Sequence, residues 1–419
     1  MFTRTVTPLL ILLTLLISPF LLSTPSFAAP NAKKMMRKMD SNHDGRISRD
    51  EWLNPPPAFD KFDANRDGFL TADEIDGRLD AARQATVAPA KQVHWTDVHV
   101  HPSGVGRTSD YRGAVDMVLR AMDDSGMRKA VLMPTPQGSY NLNPWVVEDF
   151  VRYARKYPDK FAVLGGGGSL NLMIHADSPD GNVSPQLRQK FRKRAEEILA
   201  LGAVGFGEMS ILHVSLTQGH QYESVAGDHP LLLLLADIAA EKDAVIDMHF
   251  DPVPEDMPTP DWLSQPPNPK MLKENLAGFE RLLAHNRKAK IVWAHAASDN
   301  IGSWGPELTR QMLQRHPNLY MSIRMAYGRG KGQARAHYSM DSDGVKPEWL
   351  QVFKDFPDRF VLGGDQFFTP SQVNGAKAEF SKHAKTIREH ADQLLASLPE
   401  DLARKIGYEN AARLYRLNK

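Results

Sequence analysis

The stretch Asp97-Val98-His99-Val100-His101 places two histidines two positions apart in an apolar run. Residues two apart on a β-strand point to the same side, so both imidazoles are expected to face one side of a strand. A His-x-His pair alone is weak evidence, because such pairs also occur at surfaces and in cores. It gains weight when other metal-binding residue types recur at the ends of further apolar runs.

From residue 94 onward, short apolar runs alternate with longer amphipathic segments. This alternation predicts strand–helix units arranged around a parallel sheet. The predicted strands are Asp97–His101, Lys129–Met133, Phe161–Gly166, Val204–Met209, Ala244–Phe250, Lys290–His295, Leu319–Ile323 and Phe360–Asp365. Eight strands, each followed by a helix over about 320 residues, predict an α/β fold, a closed (β/α)8 TIM barrel.

Residues that can bind a metal lie at the carboxyl ends of five predicted strands. They are His99, His101, Glu208, His249, His295 and Asp365. In a barrel, the carboxyl ends of the strands meet at one rim, where active sites are built. Buried charge at that rim is costly unless it is paired or coordinated, so a metal site explains the set better than packing does. Imidazole and carboxylate ligands together suit Zn2+, or else Mn2+ or Fe2+.

With this ligand order, the segment His94–Leu417 resembles the amidohydrolase superfamily. Further similarity lies in Asp228-His229-Pro230 and in the terminal Glu409–Leu414, which is like the tail of the amidohydrolase-related branch. That branch includes both hydrolases and decarboxylases. The resemblance therefore implies a metal-dependent enzyme on a barrel fold.

The resemblance also implies a role for each candidate ligand. His99, His101 and Asp365 would bind a first ion, His249 and His295 would bind a second, and Glu208 would bridge the two. Asp365 would in addition act as the general base or acid for the proton of the activated water.

A one-metal arrangement is the alternative within the same branch. His249 would then bind the first ion, and His295 would orient or protonate the substrate. Glu208 would contact the ligands without binding the ion itself. One or two catalytic ions per chain therefore stay open, although an acid at the end of the fourth strand favours two.

Arg324 directly follows the seventh predicted strand. Its guanidinium offers a planar fork that matches a carboxylate or a phosphate, so Arg324 is predicted to bind substrate. A surface arginine at a strand end is the alternative interpretation.

Two acidic loops precede the predicted barrel, Asp40–Glu51 and Asp63–Glu74, and both match the calcium-loop pattern. Gly45 and Gly68 would make the sharp turn of each loop. The predicted Ca2+ ligands are the side chains of Asp40, Asn42, Asp44, Glu51, Asp63, Asn65, Asp67 and Glu74 and the carbonyls of Arg46 and Phe69. A solvated acidic loop that binds nothing is the alternative, but two complete matches in tandem favour Ca2+.

Residues 35–80 resemble EF-hand proteins. Ile47 and Leu70 lie where paired loops join through a short β-bridge. Pro55-Pro56-Pro57 prevents a full helix after the first loop. A small, compact all-α EF-hand module is therefore expected, in which Ca2+ stabilises the structure rather than acting as a switch.

Residues 1–28 predict a signal peptide. Arg4 precedes the apolar run Leu9–Leu22, and Ser26-Phe27-Ala28 has the small residues that a signal peptidase reads, so cleavage is expected after Ala28. An uncleaved membrane anchor is the alternative, but the run is short of the roughly 20 residues that a spanning helix needs. The expected location is periplasmic or secreted. The predicted organisation is a signal peptide at 1–28, an EF-hand pair at 31–80, a linker at 81–93 and the barrel at 94–419.

The composition limits the classes of molecule that the chain is expected to bind. The 419-residue chain has a formal net charge of +1, so no global field favours nucleic acid or an anionic membrane. It has no cysteine, which excludes disulfides, thiolate zinc sites and a cysteine nucleophile. A small-molecule substrate is expected, with no nucleic acid and, after signal cleavage, no membrane. The oligomeric state stays open.

These observations predict an exported metal-dependent hydrolase that uses metal-activated water on an ester, lactone, amide or phosphoester. The first alternative keeps the fold and changes the reaction to non-oxidative decarboxylation. The second is an inactive calcium-binding barrel protein, which the complete set of metal-capable residues disfavours.

Overall fold

The computed structural model describes residues 32–53, 56–78, 93–102, 110–139, 145–216, 221–325, 337–341, 344–370 and 378–417. The chain divides into two compact units, Met1–Ala90 and Lys91–Lys419. The signal peptide predicted at 1–28 and nearly all of the linker predicted at 81–93 lie outside the described residues. Among the residues described, none of the helices has the length and apolar character that crossing a membrane requires.

In the first unit, three helices flank two loops. The helices are Ala32–Met39, Pro56–Phe62 and 72–78, and the two-residue strands are Ile47–Ser48 and Phe69–Leu70. The strands pair antiparallel with Ile47 opposite Leu70, which is the β-bridge that the sequence predicts. Both residues are fully buried in a small core with Phe59 and Ile75, so the bridge and the helices share one hydrophobic centre.

The second unit contains eight parallel strands. They are β1 (Trp95–His101), β2 (Met127–Leu132), β3 (Phe161–Gly166), β4 (Gly205–His213), β5 (Val245–Phe250), β6 (Lys290–Ala296), β7 (Leu319–Ile323) and β8 (Phe360–Leu362). Each strand pairs with the next, and β8 returns to pair with β1 through Leu362 and Asp97. The sheet is therefore closed, and the predicted (β/α)8 TIM barrel is confirmed.

Helices surround this sheet. They are α1 (Tyr111–Asp123), α2 (Val147–Ala154), α3 (Leu170–His175), α4 (Pro185–Ala200), α5 (Pro230–Glu241), α6 (Leu276–His285), α7 (Pro306–Arg315), α8 (Pro347–Asp355), α9 (Ala378–Ala396), α10 (Glu400–Arg404) and α11 (Asn410–Tyr415). Short elements are the strands Glu223–Ser224, Met257–Pro258, Met271–Leu272, Met340–Asp341, Gly344–Val345 and Gln366–Phe367, a 3-10 turn at Asp261–Leu263 and a π-helical turn at Lys405–Glu409.

Helix starts carry clear local signals. The hydroxyl of Ser184 accepts a hydrogen bond from the Leu187 N–H at 3.1 Å, and Pro185 follows it at the first turn of α4. Proline is tolerated there because its missing N–H has no intrahelical partner in any case. At α5, His229 Nδ1 accepts from the Leu231 N–H at 3.1 Å, and Pro230 again occupies the first turn.

The barrel interior is apolar at one end. Alternate strand residues face inward, and Val98, Val131, Leu164, Val245, Val292 and Val361 pack with Leu414 and Tyr415 of α11. The amide of Asn410 donates to the carbonyls of Pro357 and Phe360 at 2.9 and 2.8 Å, which fixes α11 beside the start of β8. The terminal helix therefore closes the amino-terminal end of the barrel, and polar side chains gather at the other end.

Candidate metal centre

Six side chains converge at the carboxyl ends of the barrel strands. They are His99 and His101 on β1, Glu208 on β4, His249 on β5, His295 on β6 and Asp365 just after β8. All are buried or nearly so, with side-chain exposures between 0% and 13%. The structure thus brings together all six residues that the sequence predicted as metal ligands.

The first donor set surrounds a point between β1, β4 and β8. The Nε2 atoms of His99 and His101 lie 3.2 Å apart, and Glu208 Oε2 is 3.5 Å from each of them. Asp365 Oδ1 lies 3.4 Å from His101 Nε2. Ligands about 2.0–2.1 Å from a tetrahedral zinc ion stand roughly 3.4 Å from one another, so this spacing fits a divalent cation.

The second donor set uses the other oxygen of the same carboxylate. Glu208 Oε1 lies 2.9 Å from His249 Nδ1 and 3.1 Å from His295 Nε2. These three residues form a group that could hold a metal ion, as do Glu208, His99 and His101. A third such group, His99, His295 and Asp365, joins residues of both sets. The residues present therefore fit one or two divalent ions, and Glu208 would contribute to both if two are bound.

Two glycines explain how Glu208 comes so close to the neighbouring strand. A Cβ on Gly205 would lie 2.2 Å from the carbonyl oxygen of Val245, and one on Gly207 would lie 2.9 Å from Cβ of Asp247. No larger side chain fits at either position without moving the backbone. The pair of glycines lets β4 pack directly against β5, the strand that carries His249.

Two of the ligand candidates have left-handed backbone conformations. His295 has a φ of +66° and Asp365 has a φ of +51°. Such values are uncommon for residues other than glycine, although aspartate and histidine adopt them more often than most residues do. At both positions the turn aims the side chain from a strand end into the shared cluster.

The acidic loops of the first unit have the turn geometry of calcium loops. Gly45 has a φ of +82° and Gly68 a φ of +86°, a conformation that glycine adopts without steric cost. Their N–H groups donate to Asp40 and Asp63 at 3.1 Å in both loops. The first acid of each loop is therefore turned inward, over the residues that follow it.

The last acid of each loop folds back over its start. Glu51 accepts hydrogen bonds from the N–H groups of Ser41 and Ser48 at 3.0 and 2.9 Å. Glu74 accepts from the N–H groups of Asn65 and Thr71 at 3.4 and 2.9 Å. Between them, the predicted ligands Asn42, Asp44, Asn65 and Asp67 hydrogen-bond within their own loops. Arg46 and Phe69 stack across the two loops, with 4.9 Å between the guanidinium carbon and the ring centroid.

Comparison with protein families identifies the barrel. The family model described as Amidohydrolase matches residues 96–417. The chain belongs to the amidohydrolase family. The model described as EF hand matches residues 32–54 and 57–80. Family membership and the two donor sets together support a metal-dependent enzyme of this fold.

Solved structures similar to this amidohydrolase chain have low sequence identity. A Pseudomonas putida protein provisionally described as a 2-pyrone-4,6-dicarboxylic acid hydrolase has 11% identity, covers 78% of this chain and 99% of that one, and gives a TM-score of 0.41. Dipeptidase AC, a metallopeptidase, has 13% identity, covers 78% of this chain and 98% of its own, and gives a TM-score of 0.39. The uronate isomerase of Thermotoga maritima has 11% identity, covers 85% of this chain and 76% of its own, and gives a TM-score of 0.36. No protein with a curated description matches the chain.

Opposing effects set the charges in the amidohydrolase site. Burial favours the neutral form of Glu208, but the charge of His99 and hydrogen bonds from His249 hold the pKa of Glu208 well below its usual value. Burial lowers the pKa of His295 to about 3, which keeps that imidazole neutral as a metal ligand must be. For Asp365, the nearby charge of Arg324 outweighs burial and lowers the pKa of the carboxyl. A divalent cation would supply the positive charge that these carboxylates require.

Arg324 lies at the amidohydrolase site in an arrangement that sequence reasoning did not anticipate. Its Nη2 forms an ion pair with Asp365 Oδ2 at 2.7 Å, and the side chain is 17% exposed. The guanidinium therefore holds one oxygen of Asp365 while the other faces the first donor set. Contact between Arg324 and a substrate stays a prediction.

Three residues beside the ligands were missed. Asp247 Oδ1 lies 3.2 Å from His99 Nδ1, Asp251 Oδ2 lies 3.4 Å from His249 Nε2, and the His213 ring centroid is 4.2 Å from that of His249. The signal for Asp247 was present, since it lies two positions before His249 on one strand and so faces the same side. His213 is the last residue of β4 and lies beyond Met209, where the fourth strand was predicted to end.

The bridging position of Glu208 predicts the metal content of a variant. Glu208→Ala removes a ligand from both donor sets, so zinc bound after reconstitution should fall from about two ions per chain to one or fewer. Elemental analysis after gel filtration measures the ratio. Glu196→Ala, at an exposed position of α4, is the control and should bind zinc as the unmodified chain does. Full zinc content in Glu208→Ala would contradict the bridging role.

Proposed function

We propose that this chain is a metal-dependent hydrolase that uses metal-activated water on an ester, lactone, amide or phosphoester of a small molecule. The observation that carries the proposal is the carboxylate of Glu208, whose two oxygens face separate sets of imidazoles. A carboxylate in that position supports a two-ion site. Two ions favour hydrolysis over the decarboxylation that one-ion members of the branch perform.

The ion and the protein supply different parts of this chemistry. A divalent cation lowers the pKa of bound water to about 7 and polarises the bond under attack. Burial of the donor residues keeps bulk water away from their charges and strengthens each interaction there. With a cation bound, His99, His101, His249 and His295 would each contribute one ring nitrogen and so fix the donor positions.

Asp365 is the residue that we assign to proton transfer. Its Oδ2 is occupied by Arg324 at 2.7 Å, while Oδ1 faces the first donor set. The lowered pKa keeps the carboxyl ionised at neutral pH, so Asp365 is in the form that accepts a proton. We propose that Arg324 binds a carboxylate or phosphate of the substrate. His295 is a ligand of the second ion in the two-ion arrangement, and it orients or protonates the substrate in the one-ion alternative.

Loss of the Asp365 carboxylate should remove most of the turnover. Asp365→Asn keeps the size of the side chain and removes the base, so kcat is expected to fall by about 10²–10⁴-fold. A screen of ester, lactone, amide and phosphoester substrates with the zinc-loaded chain, followed by steady-state kinetics, measures this. Asp358→Asn, an exposed acid paired with Lys405, should retain activity. Release of carbon dioxide from an aromatic acid by a one-ion chain would instead select the decarboxylase.

We also propose that the EF-hand loops bind Ca2+ as a structural ion. Each loop has an all-oxygen ligand set, which is the chemistry that Ca2+ prefers, and millimolar Ca2+ would fill even sites with dissociation constants of roughly 10⁻⁴–10⁻³ M. The buried bridge between Ile47 and Leu70 joins the loops, so filling one supports the other.

Removing the last acid of each loop tests the calcium sites. The double variant Glu51→Gln with Glu74→Gln loses two carboxylates that close the loops, and Ca2+ affinity is expected to weaken by at least about tenfold, or ~1.4 kcal/mol. Isothermal titration with Ca2+ measures it. The control is Asp50→Asn, which neighbours Glu51 outside the ligand positions. Unchanged affinity in the double variant would mean that the loops do not hold the ion.

Export is the third part of the proposal. We propose that residues 1–28 direct the chain to the periplasm or the exterior, where it acts on a small molecule without nucleic acid or a membrane as partner. The exported chain is then expected to begin at Ala29, because Ser26-Phe27-Ala28 presents small residues at the cleavage spacing. Intact-mass measurement of the exported fraction tests this. A mass that retains the first 28 residues would contradict cleavage.

A further inference from the structure

Two histidines of the metal centre each have a buried aspartate behind them. His99 turns Nε2 to the first donor set, and its Nδ1 lies 3.2 Å from Asp247 Oδ1. His249 turns Nδ1 to the second set, and its Nε2 lies 3.4 Å from Asp251 Oδ2. An imidazole that binds a cation through one nitrogen carries its proton on the other. An acceptor behind the ring fixes both the tautomer and the orientation.

The carboxylate of Asp247 has no ion-pair or hydrogen-bonding partner other than His99 among the described residues. The residue is fully buried on β5, and neither carboxylate oxygen receives a hydrogen bond of good geometry within the described part of the chain. A buried carboxylate without donors is costly. The nearest group able to offset that cost is the Nδ1–H of His99, at 3.2 Å.

Asp251 is held from the opposite direction. Its Oδ2 accepts the N–H of Val214 at 3.0 Å, and its Oδ1 accepts the amide of Asn300 at 2.9 Å. Its backbone carbonyl accepts the amide of Asn275 at 3.1 Å. The carboxylate is therefore fixed by two separate segments of the chain and the backbone of Asp251 by a third, so Asp251 provides an anchor for the His249 ring.

We propose that Asp247 and Asp251 are positioning residues that serve one cation each. Asp247 holds His99 for the ion of the first donor set, and Asp251 holds His249 for the ion of the second. The assignment rests on the two-ion function proposed above. It separates these two histidines from His101, whose Nδ1 is 3.1 Å from the backbone carbonyl of Met133, and from His295, whose Nδ1 makes no hydrogen bond in the described residues. The Nδ1 of His99 makes no hydrogen bond of good geometry either, and the 3.2 Å approach of Asp247 distinguishes it from His295.

The test is a titration of the metal-free full chain with Co2+, followed by its visible absorption, and with Zn2+ against a competing chelator. The variants are Asp247→Asn, Asp247→Ala, Asp251→Asn and Asp251→Ala. Each alanine variant should weaken one of the two binding steps by about 10–100-fold and leave the other within error. Asparagine should weaken the same step less, because its amide oxygen still accepts from the imidazole.

Asp237→Asn is the matched control. Asp237 Oδ1 lies 3.1 Å from His285 Nε2, so it makes the same kind of contact at a distant, partly exposed place. Both binding steps should be unchanged in this variant. The two alanine variants should also differ in their Co2+ spectra, because each perturbs a different ion.

The outcomes are separable. If an alanine variant fails to fold, as judged by circular dichroism, its asparagine counterpart decides the matter. Two binding steps in the unmodified chain with no change in the Asp247 and Asp251 variants, or with the same step weakened in both, overturn the positioning assignment and leave the proposed function standing. An unmodified chain that binds neither Co2+ nor Zn2+ overturns both.

Discussion

A carboxylate buried among four imidazoles is the constraint on which the rest of the structure depends. Glu208 is 4% exposed and lies within 3.5 Å of a nitrogen of His99, His101, His249 and His295. Removing a carboxylate from water costs several kcal/mol unless partners compensate for it. Four partners from three other strands can reach one side chain only in a closed barrel. The fold class and the site are therefore two consequences of the same geometry.

The two ends of the barrel differ in composition: the amino-terminal end is packed with apolar side chains, and the carboxyl end carries the candidate metal ligands. Valines from several strands and Tyr415 of α11 fill the amino-terminal end, where burial of apolar surface is favourable. Asn410 fastens α11 to the base of β8 with two hydrogen bonds. With that end packed and closed, the carboxyl end can carry buried charges and left-handed residues whose cost the remaining structure offsets.

Much of this arrangement could be predicted from sequence because it follows from short periodicities. Short apolar runs between longer amphipathic segments placed all eight barrel strands, and a polar residue at the end of an apolar run identified each ligand candidate. The end of β4 could not be predicted, because it depends on a distant segment. Leu212 and His213 pair with Ser224 and Glu223, which extends β4 beyond Met209. The ion pair of Arg324 with Asp365 joins the ends of the neighbouring strands β7 and β8, and it was missed because Arg324 was assigned to a substrate alone.

Donor chemistry offers a reason why one chain can carry two kinds of ion site. The EF-hand loops present carboxylate, amide and carbonyl oxygens, which suit a hard cation held at 2.3–2.6 Å in a flexible shell. The barrel presents four imidazoles around one bridging carboxylate, and imidazole selects zinc and other transition metals over calcium. Abundant calcium is thus a poor competitor for the barrel, while a scarce transition metal gains little from the loops. If the loops bind Ca2+ and the barrel binds a transition metal, as we propose, the difference in donor atoms would direct each ion to its own site.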